Sequence, residues 1–595
     1  MEFKGEDAEN ATVNVDIWYD KVIEEFEAIT RDAERVQRET LKRILERNGV
    51  TEYLCKWGVD GTTDPEEYKA QVPLATHADL EPYILRLSRG DQSPLLTTQP
   101  ISVFSLSSGT TDGRPKFVPI NDELLTGMVQ TFRISAAYRT RLFPIRPGGR
   151  VFELIYGSKQ IRTEGGFVAC TVISHIFSSE RYKMFRERCQ VSPCSPDEVV
   201  FGNDPQQSLY CHLLCALLYS NEVQYFRSIF SYSIVDALRT LEQVWQELCS
   251  DIKEGKLSER ITVPSMRAAV SKLLKSNPDL ADVIYEKCKD MENWQGVIPR
   301  LWPSAKYIHC VTTGSMEPYL GKLRHYAGDL PLMSGDYGAT EGGIAANIQP
   351  TIPPENATFT MVPNIAYFEF IPLHQHLEDW KMFQNVANAH HTEAAPVGLT
   401  EVKVGQDYEV VITTFGGLYR YRLGDIVRVT GFYNCTPQLS YMGRKNLLLT
   451  LNIDKITEKD LQIAVEKVTR LLREENVELV DFTSYADMSI EPGHYVIFWE
   501  LSEKIEGSVI TRCCSIMDES LIDPGYSGSR KAKTIGPLEI RIVEKGAFRK
   551  ILDHYLNLGT AASQFKTPRC VNSHQALFDI LNNCVIQTHF STYLS

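Results

Sequence analysis

Residues able to do chemistry gather in three stretches of this chain. The first, residues 105–116, reads SLSSGTTDGRPK: hydroxyls at Ser105, Ser107, Ser108, Thr110 and Thr111 surround Gly109, and the cations Arg114 and Lys116 follow. Small hydroxyl residues and glycine let backbone N–H groups face outward, and the cations add charge, so the composition suits a phosphate. Taken alone, the stretch also fits a polar surface turn, because Gly/Ser-rich matches are common. No Gly-Lys-Ser or Gly-Lys-Thr closes it and no G-x-G-x-x-G is present, which excludes a Walker loop and a dinucleotide fingerprint. The second stretch, residues 337–342, is YGATEG. Tyr337 offers a flat face for a base, Thr340 a hydroxyl for an α-phosphate, and Glu341 a hard carboxylate of the kind Mg²⁺ takes beside phosphates. The third, residues 421–425, is YRLGD. Asp425 can accept hydrogen bonds from both hydroxyls of a ribose, with Tyr421 and Arg422 to steady it. An Asp after Gly is otherwise ordinary turn chemistry. Each stretch supplies part of what a nucleotide needs, and no two supply the same part.

Periodicity then indicates the elements that position these groups. Apolar residues 100–104 (PISVF) read as a buried strand entering the hydroxyl loop. Residues 121–139 read as a helix bearing Phe132 and Arg133, the arginine either lining a carboxylate pocket or solvated. Upstream, residues 16–47 read as one amphipathic helix closed by Asn48 and Gly49. Residues 151–156 and 167–176 read as strands, and 208–248 as mostly helical. Residues 265–274 and 278–287 read as shorter helices. Strands are expected at 307–313 and 330–333, the latter running into a loop that carries YGATEG. Strands at 408–415 and 418–433 flank a Gly-Gly turn. Residues 374–397 read as an exposed loop; its His390 and His391 lack a nearby third metal ligand. Beyond Gly443 strands (447–452, 495–501, 538–543) alternate with helices (457–472, 508–521, 548–556), as in one small α/β domain. The boundary is therefore expected at 442/443, with a large domain over 1–442 and a small one over 443–595.

With 595 residues, 43% hydrophobic and 23% charged, the chain has the composition of a soluble globular protein. Its 62 basic and 76 acidic residues leave a net charge of −14, which argues against nucleic acid as a general partner. The acidic start MEFKGEDAEN has neither a signal peptide's apolar core nor transit-peptide character, and no apolar run approaches a membrane span. The 14 cysteines are scattered without a C-x-x-C, and Cys211 and Cys215 sit in an apolar run. A reducing cytoplasmic setting without disulfides or membrane attachment is expected.

The ordered triplet resembles the acyl-adenylate-forming superfamily of acyl-CoA synthetases, adenylation domains and luciferases. Its details are similar to the plant branch, the Gretchen Hagen acyl acid amido synthetases. The long stretches SMEPYLGKLRHYAGDLPL (315–332) and AFRKILDHY (547–555) carry the same likeness. The resemblance implies an α/β fold: a large N-terminal domain of mixed sheets and a β-barrel with helices, plus a small mobile C-terminal α/β domain. It implies that ATP and Mg²⁺ convert a carboxylic acid to acyl-AMP and pyrophosphate. An amino acid amine then takes the acyl group and releases AMP.

Carried over residue by residue, the phosphate loop is Ser105, Ser107, Ser108, Gly109 and Thr110, with Ser108 nearest the acyl group. The base and α-phosphate segment is Tyr337, Gly338, Ala339, Thr340, Glu341 and Gly342, with Glu341 as metal ligand. Asp425 takes the ribose with Arg422 beside it. The hinge falls at Arg444 or Lys445, and a lysine from the small domain, Lys550 or Lys566, reaches the nucleotide. Ile173, Ser174, His175 and Ile176, together with the 550–554 segment, border the amino acid. Phe132, Arg133, Phe226, Phe230, Ser334 and Gly335 line the acid pocket, whose aromatic walls suit an auxin such as indole-3-butyric or indole-3-acetic acid, with jasmonate or a benzoate as rivals. The superfamily's C-terminal Gly-Lys motif is absent, which argues against coenzyme A as acceptor. A thioester-forming ligase and a non-catalytic hormone-binding relative are the alternatives, and a monomer is expected.

Overall fold

The computed structural model describes residues 15–59, 61–111, 114–146, 148–157, 160–189, 191–202, 204–373, 394–444, 449, 451, 454, 456–558, 562, 565–572 and 574–593. The chain divides into two compact units. One comprises the described residues of Met1–Ser107, Phe117–Leu423 and Val427–Tyr441; the other those of Ser108–Lys116, Gly424–Ile426 and Met442–Ser595.

Among the described residues the strands form four sheets. The first contains β1 (Ile101–Thr111), β2 (Arg114–Asn121), β4 (Ile161–Arg162) and β5 (Val168–Cys170), in the order β2-β1-β5-β4. The second is parallel: β3 (Arg150–Leu154), β6 (Ser192–Pro193), β7 (Val223–Phe230), β8 (Ile308–Val311) and β9 (Leu332–Ser334), in the order β6-β3-β7-β8-β9. Eight strands make the third. They are β10 (Tyr337–Ala339), β11 (Gly342–Ala346), β12 (Phe359–Met361), β13 (Tyr367–Pro372), β14 (Val397–Gly398), β15 (Asp407–Thr413), β16 (Tyr421–Tyr433) and β17 (Thr436–Arg444), in the order β10-β11-β12-β17-β16-β15-β13-β14. The fourth is the small unit's own: β18 (Leu479–Asp487), β19 (His494–Leu501), β20 (Glu539–Val543) and β21 (Val585–Phe590), with β19 and β20 parallel and the outer pairs antiparallel. Each unit has its own apolar core. Phe26, Phe104, Ile120 and Phe368 belong to one; Val465, Ile497, Trp499 and Met517 belong to the other. This mixed α/β architecture, large then small, is the expected fold class. Among the described residues no helix is long and apolar enough to cross a membrane.

Several local expectations change. The helix expected over 16–47 is two helices, Val15–Arg31 and Ala33–Asn48, because Asp32 leaves helical geometry (φ −129°, ψ 49°). The strand expected over 167–176 stops at Cys170. Thr171 caps a helix, Val172–Ser178, by accepting from the Ser174 N–H, so the same apolar residues wind instead of extending. The helical stretch over 208–248 is interrupted by β7, which pairs in parallel with β3 and β8 on its two sides. In the small unit β18, β21 and the helices Pro524–Lys531 and Gln575–Asn582 join the expected elements. The strand expected over 447–452 falls largely outside the described residues, as do His390 and His391.

Candidate active site

Pairing redefines the first two motif stretches. Residues 105–111 continue β1, and β2 begins at Arg114 as its neighbour in the sheet, so the described part of the hydroxyl-rich stretch is strand and not a loop after a strand. The ladder with β2 supplies backbone partners that override the low strand preference of Gly and Ser. Ser105, fully buried, pairs opposite Cys170 of β5. Ser107, Ser108, Gly109 and Thr110 follow along the strand.

The YGATEG stretch is likewise a hairpin. Ala339 of β10 pairs with Gly342 of β11, leaving Thr340 and Glu341 as the two turn residues, both partly exposed. Gly338 and Ala339 lie on β10. The hairpin backbone sits directly on helix Asp122–Leu142. A Cβ on Gly343 would lie 2.8 Å from the Thr131 hydroxyl and 3.3 Å from the Met128 Cα, so only glycine permits this approach. The Tyr337 ring is buried and meets Tyr441 edge-on at 5.7 Å and Phe359 at 6.1 Å. The Tyr421 hydroxyl, at the start of β16, donates to Glu341 Oε1 at 3.4 Å, so the second and third motifs touch.

Asp425 lies within β16 and is 4% exposed; turn chemistry is not what sets it there. In the small unit its Oδ1 meets Arg444 Nε at 3.1 Å. Arg422 grips the buried Glu409 of β15 with two contacts, at 2.9 and 2.5 Å. Arg444, at the end of β17 and one of the two expected hinge residues, thus meets the Asp425 carboxylate. Lys445 lies outside the described residues. Lys566 belongs to the same unit. Its side chain keeps exposed area, yet dense surroundings desolvate the ammonium and, with Arg444, hold it below the usual lysine range against the pull of Asp425 and Glu458. Lys550, on helix Ala547–Asn557, is an exposed partner of Glu544 at 2.6 Å, with Cys584 Sγ at 3.4 Å.

For the acid pocket, parallel register brings some candidates together. Phe230 pairs opposite Val311, and Cys310 opposite Ser334, so Phe230 and Ser334 share the C-terminal edge of one parallel sheet, where such sheets bind ligands. Gly335 follows at once, its N–H donating to the Cys310 carbonyl at 2.8 Å. Phe226 lies four residues deeper along β7, 1% exposed among Phe152 and Trp302. Phe132 is partly buried, one helical turn before Ser135. Arg133 faces another way, its guanidinium 5.3 Å from the Trp18 ring; burial and Arg188 lower its pKa while Glu25 opposes them. Ile173, Ser174, His175 and Ile176 lie on helix Val172–Ser178. Ser174 Oγ accepts from the Thr171 hydroxyl at 2.9 Å, and burial keeps His175 below its ordinary value, hence neutral at pH 7.

Sequence reading missed Asp336, Ser135, Asn347 and Glu409. They carry no local signature, since each acts through a partner 11 to 201 residues away.

Comparison with known proteins matches residues 22–332 to the GH3 family N-terminal domain, 359–444 to its central domain and 459–575 to its C-terminal domain. The chain is 54% identical over 574 residues to jasmonoyl–L-amino acid synthetase JAR4 of Nicotiana attenuata, covering 96% of this chain and 97% of that one. It is 48% identical over 586 residues to indole-3-acetic acid-amido synthetase GH3.10 of Arabidopsis thaliana, covering 96% and 98%. Among solved structures, the GH3.15 acyl acid amido synthetase superposes with a TM-score of 0.86 at 35% identity, over 99% of each chain.

Proposed function

From the premise that this chain belongs to the GH3 family and is an acid–amino acid ligase, we propose that it adenylates a plant-hormone carboxylic acid with ATP and passes the acyl group to an amino acid. The observation that carries the nucleotide reading is the Tyr421–Glu341 contact, which joins two motifs 80 residues apart into one polar patch. In the first step a carboxylate oxygen attacks the α-phosphorus, the bond to pyrophosphate breaks, and acyl-AMP forms. In the second an amine nitrogen attacks the acyl carbon, AMP leaves, and the amine gives up a proton. A carboxylate is a poor electrophile, and adenylation converts its oxygen into a good leaving group. The protein's share is positioning and charge neutralisation.

In this reading Ser105, Ser107, Ser108, Gly109 and Thr110 hold phosphate, the 337–342 hairpin holds base and α-phosphate, and Asp425 holds the ribose. Lys566 is the better candidate than Lys550 for the nucleotide, since it shares a desolvated environment with Asp425, whereas Lys550 is engaged with Glu544. The Glu341 carboxylate is a hard oxygen donor on a partly exposed turn, and it fits Mg²⁺, which would neutralise developing phosphate charge. The expected C-terminal domain, residues 443–595, is read as moving between the half-reactions about Arg444 and Lys445. The enzyme is read as a cytoplasmic monomer.

The acid favoured is a jasmonate, supported by the 54% identity to a jasmonoyl synthetase and by the depth of Phe226, which thins the aromatic wall an indole would want. An indole acid, such as indole-3-acetic or indole-3-butyric acid, is the second reading, supported by the 48% identical relative. Acid-dependent ATP–pyrophosphate exchange with jasmonate, indole acids and benzoates, followed by amino acid capture, tests this. Jasmonate is expected to give the highest kcat/KM. An indole acid ranking first would reverse the order, and failure of every acid to support exchange by folded protein would overturn the reading.

A further inference from the structure

We propose that Asp336 is a positioning residue that locks the acid wall to the nucleotide hairpin, an inference that rests on the reading above. Asp336 and Gly335 form the connector between β9, whose end carries Ser334, and β10, which opens the hairpin. The two carboxylate oxygens of Asp336 address different elements. Ser135 Oγ, on helix Asp122–Leu142, donates to Oδ2 at 2.8 Å, and the Asn347 backbone N–H, just after β11, donates to Oδ1 at 3.0 Å. Asn347 Nδ2 in turn donates to the Ser334 carbonyl at 2.8 Å, closing the ring of contacts. Gly335 is pinned separately by its N–H on the Cys310 carbonyl, and a Cβ there would meet Val311 at 3.3 Å.

The connector thus links three parts: the sheet edge bearing Phe230 and Ser334, the hairpin bearing Tyr337, Thr340 and Glu341, and the helix bearing Phe132. Acid and nucleotide must meet with carboxylate oxygen and α-phosphorus about 3–3.5 Å apart, and a shift of about 1 Å can cost on the order of a hundredfold in rate. A group that sets one half-site against the other should therefore govern the rate of adenylation more than the affinity for either reactant.

The test uses full-length protein and acid-dependent ATP–pyrophosphate exchange, with kcat expressed per folded site. Asp336→Asn is expected to lower kcat by about tenfold or more while the KM values for ATP and acid stay within about threefold. Ser135→Ala, which suits a helix and removes only the hydroxyl, is expected to lower kcat by several-fold and keeps the test open if Asp336→Asn fails to fold. Ser135→Thr, which keeps the hydroxyl, should restore most of the rate. Unchanged kcat per folded site in Ser135→Ala, or a fall in melting temperature alone, would overturn the inference while leaving the reading intact. Absence of exchange in the unaltered protein would overturn the reading itself and this inference with it.

Discussion

Asp425, Arg444 and Lys566 show how a charge reads differently once its neighbours are known. The motif suggested Asp425, and an arginine 19 positions on, Arg444, meets its carboxylate, while Arg422 grips Glu409. Desolvation and Arg444 both disfavour the charged form of Lys566, so this lysine loses its proton at lower pH than an ordinary one. If it neutralises phosphate charge, the alkaline limb of the adenylation rate should lie below the ordinary value of 10.5. Lys566→Arg should keep activity and move that limb upward, since a guanidinium does not titrate there. A pH–rate profile of both proteins checks this; coincident alkaline limbs would remove Lys566 from the chemistry.

At the scale of elements, the YRLGD strand is held at its entry by a buried ion pair. Arg420 contacts both Glu369 oxygens, at 3.0 and 2.8 Å, and donates to the carbonyls of Lys69 and Val72 at the end of helix Pro65–Gln71. Arg420 and Glu369 are 6% and 1% exposed. Removing one partner strands the other charge, so Arg420→Met should destabilise by about 3–5 kcal/mol, whereas Arg420→Met with Glu369→Leu should recover much of that loss. Chemical denaturation of both variants measures the difference. The same scale explains where pattern reading failed. Thr171 turned an apolar run into a helix by capping it, and β2 turned a Gly/Ser stretch into a strand by pairing with it. Both outcomes depend on partners that a local window does not contain.

At the scale of the whole molecule, acid should act on the small unit through a buried cluster in its sheet. Burial raises the Glu539 carboxyl, but the 2.6 Å bond to His494 and the Arg541 guanidinium outweigh it and hold the group below its ordinary 4.5. A depressed folded-state pKa contributes stability that is complete above the unfolded value and is lost as pH falls through the folded one. Thermal melting of the full chain should therefore fall steeply below about pH 4.5, and Glu539→Gln should be less stable at pH 7 but less sensitive to acid. Equal pH slopes for the two proteins would dismiss the cluster as the cause.

What the chain determined without its fold was the chemistry on offer. Side-chain types at short spacing carry that information, and the triplet of hydroxyls, Glu341 and Asp425 is visible in a few letters each. The helix from Asn121, the Gly49 stop and most of the alternating small unit were equally legible, because caps and periodicity act within a turn or two. Tertiary structure alone decided which charge meets which. Asp336 with Ser135, Arg422 with Glu409 and Tyr421 with Glu341 are contacts between strands and helices far apart in sequence, and the energy that selects them exists only after the sheets have formed.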